Sequence, residues 1–281
     1  MSTIANPSSL TGESCSAQQR LQAVGAAGRI RWMTTKRDFR ARAHSNPLND
    51  GAFEAPLTPQ HFQRSLPDLF GLPPGTTLDQ TGQALHVHWC DLGCGYGGLL
   101  ASLSAAFPEK KMVGLEIRER VAQFCKERIA ELRAEHKGVN GDSSSESGQP
   151  YTNVGFVRTN AMKFLPNYFA KGSLEKIFFC YPDPHFKRRK HRQRVISDQL
   201  LAEYAYVLTP GIGVAYIVTD VPELFEWMDE RFARCPMFRR RTKLEIDSDP
   251  VVGFVRDMTD EAARVEKSQG QKLDASFIRI S

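Results

Sequence analysis

Two stretches of this 281-residue sequence carry residue types and spacings suited to binding and chemistry beside a strand end. The first is Asp91-Leu92-Gly93-Cys94-Gly95-Tyr96-Gly97-Gly98, which follows the apolar run ending at Cys90. Glycines let a backbone turn tightly and approach a ligand closely. Glu116 lies 25 residues beyond Asp91 and closes a second apolar run, Lys111–Glu116. An acid there in a doubly wound sheet accepts hydrogen bonds from ribose hydroxyls. Gly93, Gly95 and Gly98 also satisfy G-x-G-x-x-G, a spacing too common to choose between ligands. Asp91 tips the balance. A carboxylate at the strand end repels a pyrophosphate but suits a ligand with a cationic amino-acid tail and no phosphate, as in S-adenosylmethionine. A dinucleotide ligand and a purely structural turn remain the alternatives at this segment.

The second stretch is Phe178-Phe179-Cys180-Tyr181-Pro182-Asp183-Pro184-His185-Phe186. Ligands bind beyond the carboxyl ends of strands in open α/β sheets, so this strand end should face the cofactor. Two prolines stiffen the loop and hold Asp183 in non-helical backbone, which makes Asp183 the candidate catalytic group. A carboxylate that only caps a turn is the bland reading. Directly after it, residues 187–194 (KRRKHRQR) hold six Lys or Arg in eight positions. His185, Lys187, Arg188, Arg189, Lys190 and Arg192 are the candidate phosphate contacts, supplying affinity and register rather than sequence reading. Asn160-Ala161 ends a third apolar run. Its amide either reads an adenine edge or caps a helix, and the segment alone does not decide.

The elements that must position these residues alternate between strand and helix, which implies an α/β fold with a mostly parallel twisted sheet and helices on both faces. The pattern predicts strands at Leu85–Cys90, Lys111–Glu116, Val154–Arg158, Glu175–Tyr181 and Val214–Thr219, with a closing strand near Phe277–Ile280. Helices are predicted at Gly98–Ala106, Glu119–Glu135, Val195–Leu208 and Pro222–Phe232, with a short one around His61–Phe70. In the long helix Arg128 falls on the apolar stripe and should contribute only its stem. Residues 1–55 read as a disordered or partly ordered basic arm, and 56–281 as one catalytic domain. Gly141–Pro150 (GDSSSESGQP) reads as a flexible insert.

Composition narrows the class. Hydrophobic residues make up 41 %, enough for a sizeable core. No apolar run reaches a bilayer span, and the polar first twenty residues lack a secretory h-region, so a soluble protein is expected. Six scattered cysteines, with no C-x-x-C pair, point to reduced thiols and no zinc site. The net charge of +5 is modest, but basic residues cluster at 20–42, 185–194 and 239–243, as a polyanionic partner requires.

With these residues in view, the chain resembles the catalytic subunits of eukaryotic tRNA (guanine-N7-)-methyltransferases. The matching strings are Arg42–Pro47, Asp91–Leu100, Gly114–Arg118, Asn160–Lys163, Pro182–Arg188, Leu201–Leu208 and Asp247–Gly253. The resemblance implies a Rossmann-like class I methyltransferase that uses S-adenosylmethionine and methylates N7 of a guanosine at position 46 of the tRNA variable loop. It implies cofactor contacts at Gly93, Glu116, Ile117, Arg118, Asn160 and Ala161, and at Cys180 through its backbone, beside Asp91 and Gly95, which the glycine turn itself singles out. Thr259 and Glu261 match a late motif that closes over the cofactor, although the family string continues differently where Ala262 and Ala263 follow here. Cys180 replaces a more usual apolar residue, and the Gly141–Pro150 insert is outside the family pattern. Asp183 matches the active-site aspartate. Arg40 and Arg42 join the basic run as tRNA contacts, and Ser45 in Arg40-x-Arg42-x-x-Ser45 resembles a kinase site. The resemblance further implies a separate WD-repeat propeller subunit, docking near Met162-Lys163, and a nuclear location, with the cytoplasm as a second compartment. Two rivals stand beside it: a catalytically silent RNA-binding scaffold, and a NAD-dependent oxidoreductase on a similar fold.

Overall fold

The computed structural model describes residues 35–37, 39, 46–48, 53–79, 82–139 and 151–280. Seven strands form one sheet: β1 Trp89–Leu92, β2 Met112–Glu116, β3 Val154–Arg158, β4 Lys176–Cys180, β5 Val214–Thr219, β6 Phe238–Arg240 and β7 Leu273–Arg279. Their order is β3-β2-β1-β4-β5-β7-β6, with β7 antiparallel to both of its neighbours and all other pairs parallel. The strand order reverses between β1 and β4. That reversal opens a crevice at the carboxyl ends of the strands.

Side-chain alternation divides the core into two layers. Ile177 and Phe179 face one side with Ala215 and Ile217, against α1 Pro59–Phe70, α4 Ala161–Tyr168, α5 Asp198–Val207 and α6 Pro222–Arg234. Phe178, Tyr216 and Val218 face the other side, against α2 Gly98–Ala106, α3 Glu119–Val139 and α8 Val251–Asp257. Each fully buried phenylalanine contributes about 2–3 kcal/mol of apolar transfer, so period-two alternation commits both faces at once. Two further helices, α7 Lys243–Asp247 and α9 Asp260–Lys267, flank α8. Among the described residues no helix is long and apolar enough to cross a membrane.

The helix ends follow local chemistry. Thr58 caps α1 by accepting from the His61 N–H (3.4 Å), Pro59 occupies its first turn, and Gly71 ends it at φ 65°. The helix predicted from Val195 begins instead at Asp198, because the Ser197 hydroxyl accepts from the Leu200 N–H (3.3 Å) and sets the start. The first strand is Trp89–Leu92 rather than Leu85–Cys90, since the Leu85 N–H is already spent on the Thr77 carbonyl (2.8 Å). The closing strand starts earlier than expected, at Leu273.

Described pieces of the N-terminal arm rest on this core. Phe39 packs edge-on against Phe124, and Phe53 lies 6.4 Å from Phe164. Arg40, Arg42, Ser45 and the Gly141–Pro150 insert lie outside the described residues.

Candidate active site

A cavity of about 460 Å³ opens over the carboxyl ends of β1, β2 and β4, at the reversal of strand order. Its floor is the glycine turn after β1. Gly93 and Gly95 hold left-handed backbone, at φ 79° and 53°. Gly97 caps α2 at φ 75°, and a Cβ there would sit 2.7 Å from the Phe156 ring. A Cβ on Gly98 would come within 3.0 Å of the Asp260 carboxylate, so the turn is close-packed on both flanks. Arg128 secures it from below by donating to the Tyr96 carbonyl (2.7 Å) and lying 3.7 Å from Asp260. This corrects the expectation that Arg128 supplies only its stem, for its charged head is buried at the turn.

Three carboxylates besides Asp260 converge on this turn. Glu116, at the end of β2, accepts from the Gly95 N–H (3.1 Å) and from Arg118 through its backbone N–H, Nε and Nη2 (2.8, 3.0 and 2.9 Å). Asp91 lies beneath the floor, only 1 % exposed, and its Oδ1 has no hydrogen-bond partner. Burial, then the charges of Glu261 and Glu116, push its carboxyl well above the usual range. Glu261 enters from α9 on the far side, within 3.6 Å of where a Gly95 Cβ would stand, and its carboxyl is raised chiefly by burial. Arg118 is committed to Glu116. Asp91 and Glu261 therefore retain a net demand for positive charge. The ammonium and sulfonium of S-adenosylmethionine fit this donor set, and a pyrophosphate does not.

Most residues expected at the cofactor line the cavity: Gly93, Gly95, Glu116, Ile117, Arg118, Asn160, Ala161, Cys180 and Glu261. Asp91 and Thr259 do not. Thr259 lies behind Glu261, where its hydroxyl accepts from the Ala262 N–H (2.8 Å) and starts α9. It thereby sets the start of the helix that carries Glu261. Asn160 caps α4, accepting from the Met162 N–H (3.1 Å), while its Nδ2 donates to the Pro47 carbonyl (2.6 Å). Both ends of that amide are engaged, so its geometry is that of a helix cap that also ties the arm to the rim.

The opposite wall is the loop after β4. Asp183 and His185 line the cavity, and Asp183 lies close enough to Arg118 for their charges to interact. Tyr181 and His185 bracket the loop with left-handed backbone, φ 50° and 45°, rare for non-glycine residues and characteristic of sites where geometry is imposed. Tyr181 also lines the cavity, with a buried hydroxyl lacking a hydrogen-bond partner and pushed up mainly by burial. The sequence did not single out Tyr181, Gln193 and Val195 on this side of the cavity, nor Met162 on α4 and Arg264 on α9, as lining residues. The strand-end position of Tyr181 was the available signal.

Beyond Asp183 the basic run forms a 3-10 turn, Arg188–Gln193. Lys187, Arg188, Arg189, Lys190 and Arg192 are exposed. The cluster at 239–243 differs, because each of its cations has a carboxylate partner. Arg239 pairs with Glu245 (2.7 Å), Arg240 with Asp229, Arg241 with Asp249 (2.7 Å) and Lys243 with Asp247 (2.8 Å). Only the Arg241 pair is buried; the other three cations lie at the surface, each beside a carboxylate.

Comparison with known proteins agrees with this geometry. A family model described as a putative methyltransferase matches residues 86–275. A "tRNA (guanine-N(7)-)-methyltransferase" of Arabidopsis thaliana is 47 % identical over 246 residues, covering 88 % of this chain and 92 % of the relative. The "tRNA (guanine-N(7)-)-methyltransferase A" of Xenopus tropicalis is 44 % identical over 87 % of this chain and 89 % of its own. A Drosophila willistoni relative of the same description is 41 % identical, across 94 % of this chain and 98 % of its own. On fold, carboxylate-lined cavity and sequence alike, the chain belongs to the tRNA (guanine-N7-)-methyltransferase family.

Proposed function

We propose that this chain transfers a methyl group from S-adenosylmethionine to N7 of a guanosine in tRNA, at position 46 of the variable loop. The observation that carries the reading is one cavity joining a carboxylate cluster suited to a cationic cofactor, an aspartate on a stiff loop opposite, and an exposed basic turn beside it. Glu116 would hold the ribose and Glu261 the cationic tail, with the buried carboxylate of Asp91 acting on that tail from beneath the floor. When bound, the cofactor supplies an electrophilic methyl group.

Guanine N7 already presents a lone pair, so no proton has to leave before attack. The residues then act by positioning and electrostatics. Asp183 would hold the purine by accepting from its N1 and N2 hydrogens, or stabilise the positive charge that methylation places on the ring. Lys187, Arg188 and Arg189 would grip phosphates and set the register of the RNA. Arg40 and Arg42 would extend that surface, with Ser45 as a modification point beside it. We further infer a separate WD-repeat propeller partner, docking near Met162-Lys163 at the start of α4, and a nuclear site of action. The α4 start is partly exposed and lies beside the cavity, which favours a partner able to brace the tRNA there.

The test is transfer of labelled methyl from S-adenosylmethionine to bulk tRNA, followed by nucleoside analysis, with and without the propeller subunit. Label in 7-methylguanosine supports the assignment. Binding of tRNA with no transfer under either condition would favour the silent scaffold.

A further inference from the structure

Arg194 closes the basic run, yet it does not share the run's environment. It is 2 % exposed, whereas Lys187 to Lys190 and Arg192 face solvent. We propose that Arg194 is a positioning residue that fixes the Asp183 loop, and not a phosphate ligand. The inference rests on the reading of Asp183 given above.

The geometry is specific. Arg194 Nε donates to the Pro184 carbonyl (2.8 Å), and Nη2 donates to Glu223 Oε1 (2.8 Å) at the first turn of α6. The guanidinium lies over the Trp227 ring, 4.6 Å from its centroid. A planar guanidinium presents its donors in a fixed fork, so two acceptors and one stacking face define its orientation. The tryptophan and the backbone next to the arginine are themselves anchored. Trp227 donates through its Nε1 to the Ile196 carbonyl (3.0 Å), and the Tyr204 hydroxyl donates to the Val195 carbonyl (2.6 Å). The Arg194 N–H donates to the His191 carbonyl (3.0 Å). The arginine is thus braced on α5 and α6.

What it holds is the peptide between Pro184 and His185. That peptide follows Asp183 directly and leads into His185, whose φ is 45°. Left-handed backbone at a non-glycine residue persists only where the surroundings impose it. Arg194 supplies that constraint by fixing the orientation of the Pro184 carbonyl. Releasing it lets the His185 backbone relax and carries Asp183 away from its place on the cavity wall. Misplacement by about 1 Å in such a group is enough to cost a large factor in rate. Lysine cannot replace the fork, since it offers one point charge in place of two coplanar donors.

The experiment compares Arg194→Lys, Glu223→Ala and their combination with the wild-type enzyme and with Asp183→Asn. Readouts are kcat, KM for tRNA, S-adenosylmethionine affinity, melting temperature, and the slope of log binding constant against log salt. Arg194→Lys is expected to lower kcat by about 10-fold or more, with KM and cofactor affinity within about two-fold and the salt slope unchanged. Glu223→Ala, at a largely exposed side chain, should lower kcat less, and the double variant should fall no further than Arg194→Lys alone. Wild-type kcat in Arg194→Lys overturns the proposal, as does a flattened salt slope, which marks a phosphate contact. Should Arg194→Lys fail to fold, Glu223→Ala decides: reduced kcat at unchanged melting temperature supports the brace, and wild-type kcat refutes it. Asp183→Asn separates the two readings. If it is inactive while both brace variants are normal, only the Arg194 proposal falls. If it is fully active, the reading of Asp183 falls.

Discussion

Burial of the Asp91 carboxylate carries a cost that a cationic ligand should relieve, and replacing it separates stability from binding. Its carboxylate is 1 % exposed, lacks a partner on Oδ1, and faces the charges of Glu261 and Glu116. Burying an unsatisfied polar group costs about 1–3 kcal/mol. Asp91→Asn removes the charge and keeps the shape. Without cofactor the variant should be more stable by about 1 kcal/mol, a rise of roughly 2–4 °C in melting temperature for a chain of this size. The same variant removes a buried negative charge beneath the cofactor's cationic tail, so S-adenosylmethionine should bind roughly 10-fold more weakly. The pH dependence has a defined sign. A carboxyl raised above its ordinary value of 3.8 binds protons more tightly in the folded state, so its stabilising effect is present below that value and is lost as pH rises through the folded value. The wild-type protein should therefore decline more steeply than the variant on going from acid toward neutral pH. Scanning fluorimetry with and without cofactor, together with titration calorimetry, reads all three quantities. A variant that melts lower without cofactor and binds it normally would show that Asp91 is merely structural.

Two further outcomes follow from other parts of the molecule. Neutralising Lys187, Arg188 and Arg189 should weaken tRNA binding and flatten the log–log salt slope by about 2–3, since each phosphate contact contributes about 0.7–0.9. Neutralising Arg239 and Arg240 should leave that slope alone, because Glu245 and Asp229 already pair with them; a slope that responds to both sets equally would refute the distinction. His88, whose Nδ1 accepts from the Lys111 N–H, is lowered from 6.5 to about 4, chiefly by burial. Its folded value is depressed, so its contribution is present above pH 6.5 and is lost as pH falls toward 4, a change of roughly 3 kcal/mol in unfolding free energy. Chemical denaturation across that window should show the decline, and His88→Gln should flatten it.

The sequence shows some of this and hides the rest for physical reasons. The glycine turn, Glu116 and the Asp183 loop were legible because each sits at the end of an apolar run, and the sheet order then brings those ends together. The order itself was not legible, nor were β6, α7 and α8, whose short segments carry too few periods to show a pattern. Glu261 could be matched to a family string, but its approach to Asp91 depends on how α9 packs, which no local spacing encodes. Basic residues were counted without their partners. Arg241 and Arg194 look like their neighbours in sequence, yet one is paired with a buried aspartate and the other points into the fold. Asn160 admitted two readings, and only the contact with Pro47, 113 residues away in the chain, shows both ends of its amide occupied.

The most direct test of the account is a single-turnover reaction of purified enzyme with S-adenosylmethionine and tRNA, followed by borohydride reduction and aniline cleavage, which cuts RNA at 7-methylguanosine. The wild-type enzyme should produce one new cut in the variable loop, at position 46, and Asp183→Asn should produce none at comparable cofactor occupancy. A cut elsewhere, methyl incorporation without any cut, or full cleavage by the Asp183→Asn enzyme would contradict it.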